Sequence, residues 1–293
     1  MDSALTTIGL PVALGIIMFG LGLDLTLDDF KRVGRNPRAA VIALACQLLL
    51  LPLVCFGLIV VLDLPPLLGI GMMLLASSPG GTTAALFSHL FRGDVALNIS
   101  LTAINTIVAI VTLPLITGFA ITWYERSDTV RMPPGELVNV FALILIPVGL
   151  GMLVKARASA FAARMDKPVR IASAVILAVL IVGVILAEKE NIGEYLAAIG
   201  IAATLFCATS LLVGYFVPKA LGVPGPQAIA SSMEIGVHNS TLAIVVAVEV
   251  MDNTEISVPA AVYSLIMFVL AAAWGTFVSR RETAAPTSEG VAA

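Results

Sequence analysis

A carboxylate among apolar residues is the most chemically loaded feature of this chain. Glu234 lies in "SSMEIGVHNSTLAI" (231–244), with His238, Asn239 and Ser240 following within two helical turns. The surrounding run is greasy enough to cross a bilayer, where a charged side chain costs about 2.5–3.5 kcal/mol even on lenient scales. A group kept at that cost has a task. A second interruption occurs at "SSPGGTT" (77–83), where Pro79-Gly80-Gly81 break a helix inside another apolar run. Neutral oxygens accompany both features. Asn98 and Thr102 are four residues apart and share a helix face, and Gln47 stands alone in an earlier run. One carboxylate ringed by amide and hydroxyl oxygens suits a hard cation such as sodium.

The elements that must hold these residues are read from hydropathy. Hydrophobic residues make up 59% of the chain and charged residues 12%. The mean hydropathy is +1.04. A water-soluble domain needs about a quarter of its residues charged, so this is an integral membrane protein. The three cysteines, Cys46, Cys55 and Cys207, all fall in apolar runs and form no CxxC pair, which argues for packing and against redox or metal chemistry. The N-terminal stretch has an acidic start and no small-residue cleavage site, and reads as a first span.

Helices are expected near 4–23, 39–62, 66–91, 95–123, 137–154, 171–187, 193–217, 226–250 and 256–278. Nine spans put the termini on opposite sides. Thirteen of the sixteen Lys and Arg fall in one set of loops and ends; only Arg126, Arg131 and Lys189 fall in the other. That asymmetry places the N-terminus outside and the C-terminus in the cytoplasm. Residues 1–281 read as one membrane unit, and 282–293 as a disordered cytoplasmic tail.

The interrupted segments occupy matching places. Each is the middle member of a three-span set, spans 2–4 and spans 7–9, and the two sets run in opposite directions. Broken helices at equivalent positions of an inverted repeat mark the midplane site of a secondary transporter. Either break alone could be a kink or a structural hydrogen bond; their coincidence favours a site. At each break a half-helix begins with free N–H groups and a positive dipole end, which attracts an anion. Gly81, Thr82, Thr83, His238, Asn239 and Ser240 are the candidate substrate-binding residues, and no other cofactor is implied. Cation and anion together form a near-neutral load, the physical logic of symport. A proton carrier using Glu234 and His238 is the alternative. Hydrolase chemistry is disfavoured, since no paired aspartates and no HExxH occur in the spans.

"LGIIMFGLGLDLTLDDF" (14–30), "SPGGTTAALFSHLFRGDVALNISLTAINT" (78–106) and "EIGVHNSTLAI" (234–244) resemble the bile acid:sodium symporter family over nearly the whole chain. The Pro-Gly-Gly break, the "RGDVAL" turn and the Glu-x-Gly-x-[Gln/His]-Asn run carry that resemblance. It implies an all-α bacterial inner-membrane carrier, with a core domain (39–123 and 193–278) and a panel domain (4–23 and 137–187). It also implies two sodium sites behind the crossing of the broken helices. In the first, a Ser-Asn pair falls on Ala84 and Ala85 and a Ser falls on Asn98, while Thr102 and Glu234 match. The second implies Gln47, Glu234, the carbonyls of Ile235 and Val237, and a Gln that here is His238. The second site is therefore expected intact and the first depleted, with a stoichiometry nearer one sodium than two. The resemblance implies transport of an organic anion, bile acid-like or a smaller carboxylic acid.

Overall fold

The computed structural model describes residues 10–34, 37–125, 134–188, 190 and 192–284. Residues 4–9 of the expected first span lie outside these, as do 285–293 of the expected tail and Arg35, Arg126, Arg131 and Lys189.

Every regular element among the described residues is helical. In order they are α1 (Leu10–Asp24), α2 (Leu27–Val33), α3 (Pro37–Ala45), α4 (Leu51–Val61), α5 (Pro66–Ala76), α6 (Thr82–Leu90) and α7 (Val95–Trp123). There follow α8 (Pro134–Arg157), α9 (Ser159–Ala187), α10 (Ile192–Ala220), α11 (Gly225–Gly236), α12 (Ser240–Val245) and α13 (Val258–Ala284). A π turn at Cys46–Leu50 joins α3 to α4, and a second at Val246–Val250 extends α12.

Among the described residues five helices are long and apolar enough to cross a membrane: Pro37–Val61, Val95–Trp123, Ser159–Ala187, Gly193–Ala220 and Glu255–Glu282. Their surfaces are inverted relative to a soluble protein. Leu49, Leu53, Val111, Leu115, Val179 and Val269 are exposed, while Asn98, Asn105, Glu234 and Ser232 are buried. An apolar exterior around a polar interior is what lipid demands of a polytopic helical protein.

Two boundaries differ markedly from the sequence expectation, and one helix is additional. α9 begins at Ser159 rather than near 171, because "SAFAARMDK" consists largely of good helix formers and Pro168 does not end the helix. Ala158 alone separates it from α8, so Arg164 and Lys167 ride on a helix and not on a loop. α13 runs to Ala284, which makes the first residues of the expected tail helical. α2 was not expected. It starts where Asp29 Oδ2 accepts from the N–H of Thr26 at 2.7 Å and from its hydroxyl at 2.6 Å, a variant of the capping box.

The two expected interruptions are present. α5 stops at Ala76 and α6 starts at Thr82; α11 stops at Gly236 and α12 starts at Ser240. The intervening strands of backbone meet as an antiparallel bridge between Gly80 and His238. The N–H of Asn239 donates to the Pro79 carbonyl at 2.8 Å. Backbone groups freed by each break are thus matched by the other, which is how broken helices persist inside a membrane protein. Around this crossing α11 packs against α6, α7, α10 and α13, whereas α1 packs chiefly against α8 and α9.

Candidate cation and anion site

Glu234 is fully buried near the C-terminal end of α11. Its Oε2 accepts from the Thr102 hydroxyl at 2.5 Å, and its Oε1 accepts from Asn105 Nδ2 at 3.2 Å. The backbone of Gly80 lies against the same carboxylate. Only glycine fits there, since a Cβ at position 80 would overlap the Glu234 carboxyl group. The Pro79-Gly80-Gly81 break is therefore what lets backbone reach the charge.

The network continues on both sides. Asn105 Nδ2 also donates to Gln47 Oε1 at 3.4 Å, and Gln47 Nε2 donates to the Ser78 carbonyl at 3.3 Å. That carbonyl lies 3.1 Å from His238 Nδ1. A carbonyl can only accept, so Nδ1 carries the proton and a neutral His238 keeps its lone pair on Nε2. The ring stacks on Phe206 with centroids 5.5 Å apart, and Tyr263 meets it edge-on. Gln47 sits within the first π turn, a widening often found where a helix carries function.

Several buried atoms here have no hydrogen-bond partner: Asn98 Oδ1, Asn105 Oδ1, His238 Nε2 and Ser240 Oγ. An unmatched buried polar group costs about 1–3 kcal/mol, so these four, two beside Glu234 on α7 and two at the α11–α12 break, mark both sides of the crossing as polar ground. Among the described residues no three His, Cys, Asp or Glu gather as transition-metal ligands. One carboxylate with neutral oxygens instead matches a hard monovalent cation.

Of the residues expected at a cation site, Gln47, Thr102, Glu234 and His238 are joined by this network. Asn98 is adjacent but spends its amide N–H on the Ala230 carbonyl at 3.0 Å. Ile235 and Val237 are buried at the end of α11, where the carbonyl of Gly236 between them accepts from Tyr263 at 2.9 Å. Ala84 is fully buried, and Ala85 lines a cavity of about 10 Å³ with Asp24, Gly81, Ile99 and Thr102. Asn105 was passed over in the sequence, although 98, 102 and 105 continue one helical stripe. The carbonyl of Ser78 was also missed, because side-chain patterns do not report backbone acceptors.

On the other side of the crossing lies a cavity of about 390 Å³. Its polar wall includes Gly81, Thr83, Ser173, His238, Asn239, Ser240 and Thr241; its apolar wall includes Ile17, Leu86, Leu177, Ile181, Leu265 and Phe268. Thr82 begins α6, but its side chain lies outside the described residues. Asn239 caps α12, its Oδ1 accepting from the Leu242 N–H at 3.1 Å. Helix N-termini face this cavity while the ends of α5 and α11 face the Glu234 network. Their dipoles favour an anion on one side and a cation on the other.

A family model described as the Sodium Bile acid symporter family matches residues 11–195. The chain belongs to the sodium bile acid symporter family. It is similar to the uncharacterized sodium-dependent transporter YocS of Bacillus subtilis (strain 168), at 30% identity, covering 94% of this chain and 86% of that one. It is also similar to the probable chloroplastic sodium/metabolite cotransporter BASS1 of Arabidopsis thaliana, at 29% identity over 90% of this chain and 66% of the relative. The ileal sodium/bile acid cotransporter of Oryctolagus cuniculus is 25% identical over 93% of this chain and 80% of its own length. Sodium bile acid symporter family members are membrane transporters, and so is this chain; it is not an enzyme.

Proposed function

We propose that this chain is a sodium-coupled symporter of an organic anion, working by alternating access in a bacterial plasma membrane. The observation that carries the reading is the buried Glu234 carboxylate, held by Thr102 and Asn105 behind the crossing of two broken helices. Sodium is held on the Glu234 side, with Gln47, Asn98, Thr102, His238 and the carbonyls of Ile235 and Val237 as further candidate ligands. The anion's carboxylate docks at the N-termini of α6 and α12, among Gly81, Thr82, Thr83, Asn239 and Ser240. A cavity of about 390 Å³ with a largely apolar wall accommodates an amphipathic acid or a smaller carboxylate with water.

The packing supports nine spans, with α5–α6 and α11–α12 each counted as one broken span. α1, α8 and α9 form the panel and the remaining spans the core. Binding both ions closes the cavity, and the two groups shift against each other to change access.

Uptake of a panel of labelled acids into proteoliposomes tests the reading. Accumulation that requires an inward sodium gradient is the expected result; uptake indifferent to sodium overturns it. The second reading, proton coupling, draws on the continuous hydrogen-bond chain from His238 through Ser78, Gln47 and Asn105 to Glu234. Uptake that follows a proton gradient without sodium would establish it.

A further inference from the structure

Asn105 stands where two acceptor oxygens converge. Its Nδ2 donates to Glu234 Oε1 at 3.2 Å and to Gln47 Oε1 at 3.4 Å, so one amide N–H₂ fills the gap between them. Its own oxygen, Oδ1, is buried with no hydrogen-bond partner. The two ends of a primary amide are nearly the same size, so exchanging them costs little space. Asn105 also lines a narrow cleft with Gln47, Ser77 and Ser78 that continues along α7 to Thr112 and Ile116.

We propose that Asn105 is a cation-responsive ligand of the site. A half-turn about its Cβ–Cγ bond replaces Nδ2 by Oδ1, and three oxygens, one of them charged, then face a single point. With the N–H groups in the gap no cation can be held there, because donor hydrogens repel it. With Oδ1 in the gap the set suits a hard monovalent cation. The same amide thus serves both halves of a transport cycle. Its oxygen coordinates the incoming ion, and its N–H groups cover the Glu234 carboxylate once the ion has left. That second role lets the unloaded carrier return without a bare charge in its interior. The proposal rests on reading Glu234 and Gln47 as sodium ligands.

The test compares thermal stability of the purified protein across sodium chloride concentrations, with ionic strength held by choline chloride. Asn105→Leu keeps the bulk and removes both functions; Asn105→Asp keeps the oxygens and removes the N–H groups. The half-saturating sodium concentration is expected to rise about tenfold or more in Asn105→Leu, and to stay within about threefold of wild type, or fall, in Asn105→Asp. A side chain acting only as a donor to Glu234 would give the opposite order, since Asn105→Asp sets two carboxylates against each other. A wild-type sodium response in Asn105→Leu, or its loss in Asn105→Asp, overturns the proposal. Should Asn105→Leu not fold, Asn105→Ala is measured in its place with the same expected loss. A wild type whose melting temperature ignores sodium overturns the parent reading of Glu234 and Gln47 instead.

Discussion

Glu234 is held by donors of unequal kind, and the difference decides what its removal would do. Thr102 has two acceptors within reach, the carboxylate at 2.5 Å and the Asn98 carbonyl at 3.1 Å, and one proton to give. In Glu234→Gln the hydroxyl can turn its proton to Asn98 and accept from the new amide, so the fold survives. The charge does not. Glu234→Gln is therefore expected to express and melt near the wild-type temperature while losing its stabilisation by sodium and its sodium-driven uptake. Undiminished sodium-driven uptake by the variant would remove Glu234 from the mechanism. Glu234 was legible in the sequence because a lone acid in an apolar run is conspicuous. Asn105 was not, because an amide in a span has many structural uses and its role appears only when Gln47 and Glu234 are brought to either side of it.

Two helical interruptions build the site, and each is held by the other. The Gly80–His238 bridge and the Asn239–Pro79 hydrogen bond join them, and the Gly80 backbone faces Glu234 without a side chain between. Gly80→Ala is expected to push these apart, at about 1–3 kcal/mol of overpacking, read as a lower melting temperature together with a weakened sodium response. Wild-type values for both would mean that the close approach is not needed. The breaks were readable because Pro-Gly-Gly and a buried charge are local signals. The helix 95–123 was readable because a long apolar stretch ends in clear turns, and α7 spans Val95–Trp123. The start of α9 was not, because hydropathy marks where a helix enters lipid and not where it begins. Charged residues in "ARMDKPVR" ended the apolar run twelve residues inside the helix. α2 escaped for a related reason, being short and polar and held by its cap. The departure at Ala84 and Ala85 was visible as missing oxygens, but the sequence could not show that Asn98 and Asn105 leave unmatched oxygens of their own nearby.

At the scale of the whole molecule the sorted charge predicts which way the site faces, and the chain offers a clean means of checking it. Thirteen of sixteen Lys and Arg belong to one set of loops and ends, an asymmetry from which those segments are expected on the cytoplasmic side. α9, Ser159–Ala187, separates Arg157 on that side from Glu190 on the other, and both residues are exposed. The native cysteines Cys46, Cys55 and Cys207 are all buried, so a thiol reagent meets little background. Burial also pushes the Cys55 and Cys207 side chains toward packing and away from reaction. In intact cells a membrane-impermeant maleimide is expected to label Glu190→Cys readily. Arg157→Cys should react only after the membrane is permeabilised. The reverse pattern would invert the carrier in the membrane. Labelling of both sites in intact cells would mean that α9 does not cross the membrane. The nine-span arrangement, and with it the opposed orientation of the two broken helices, would then fall.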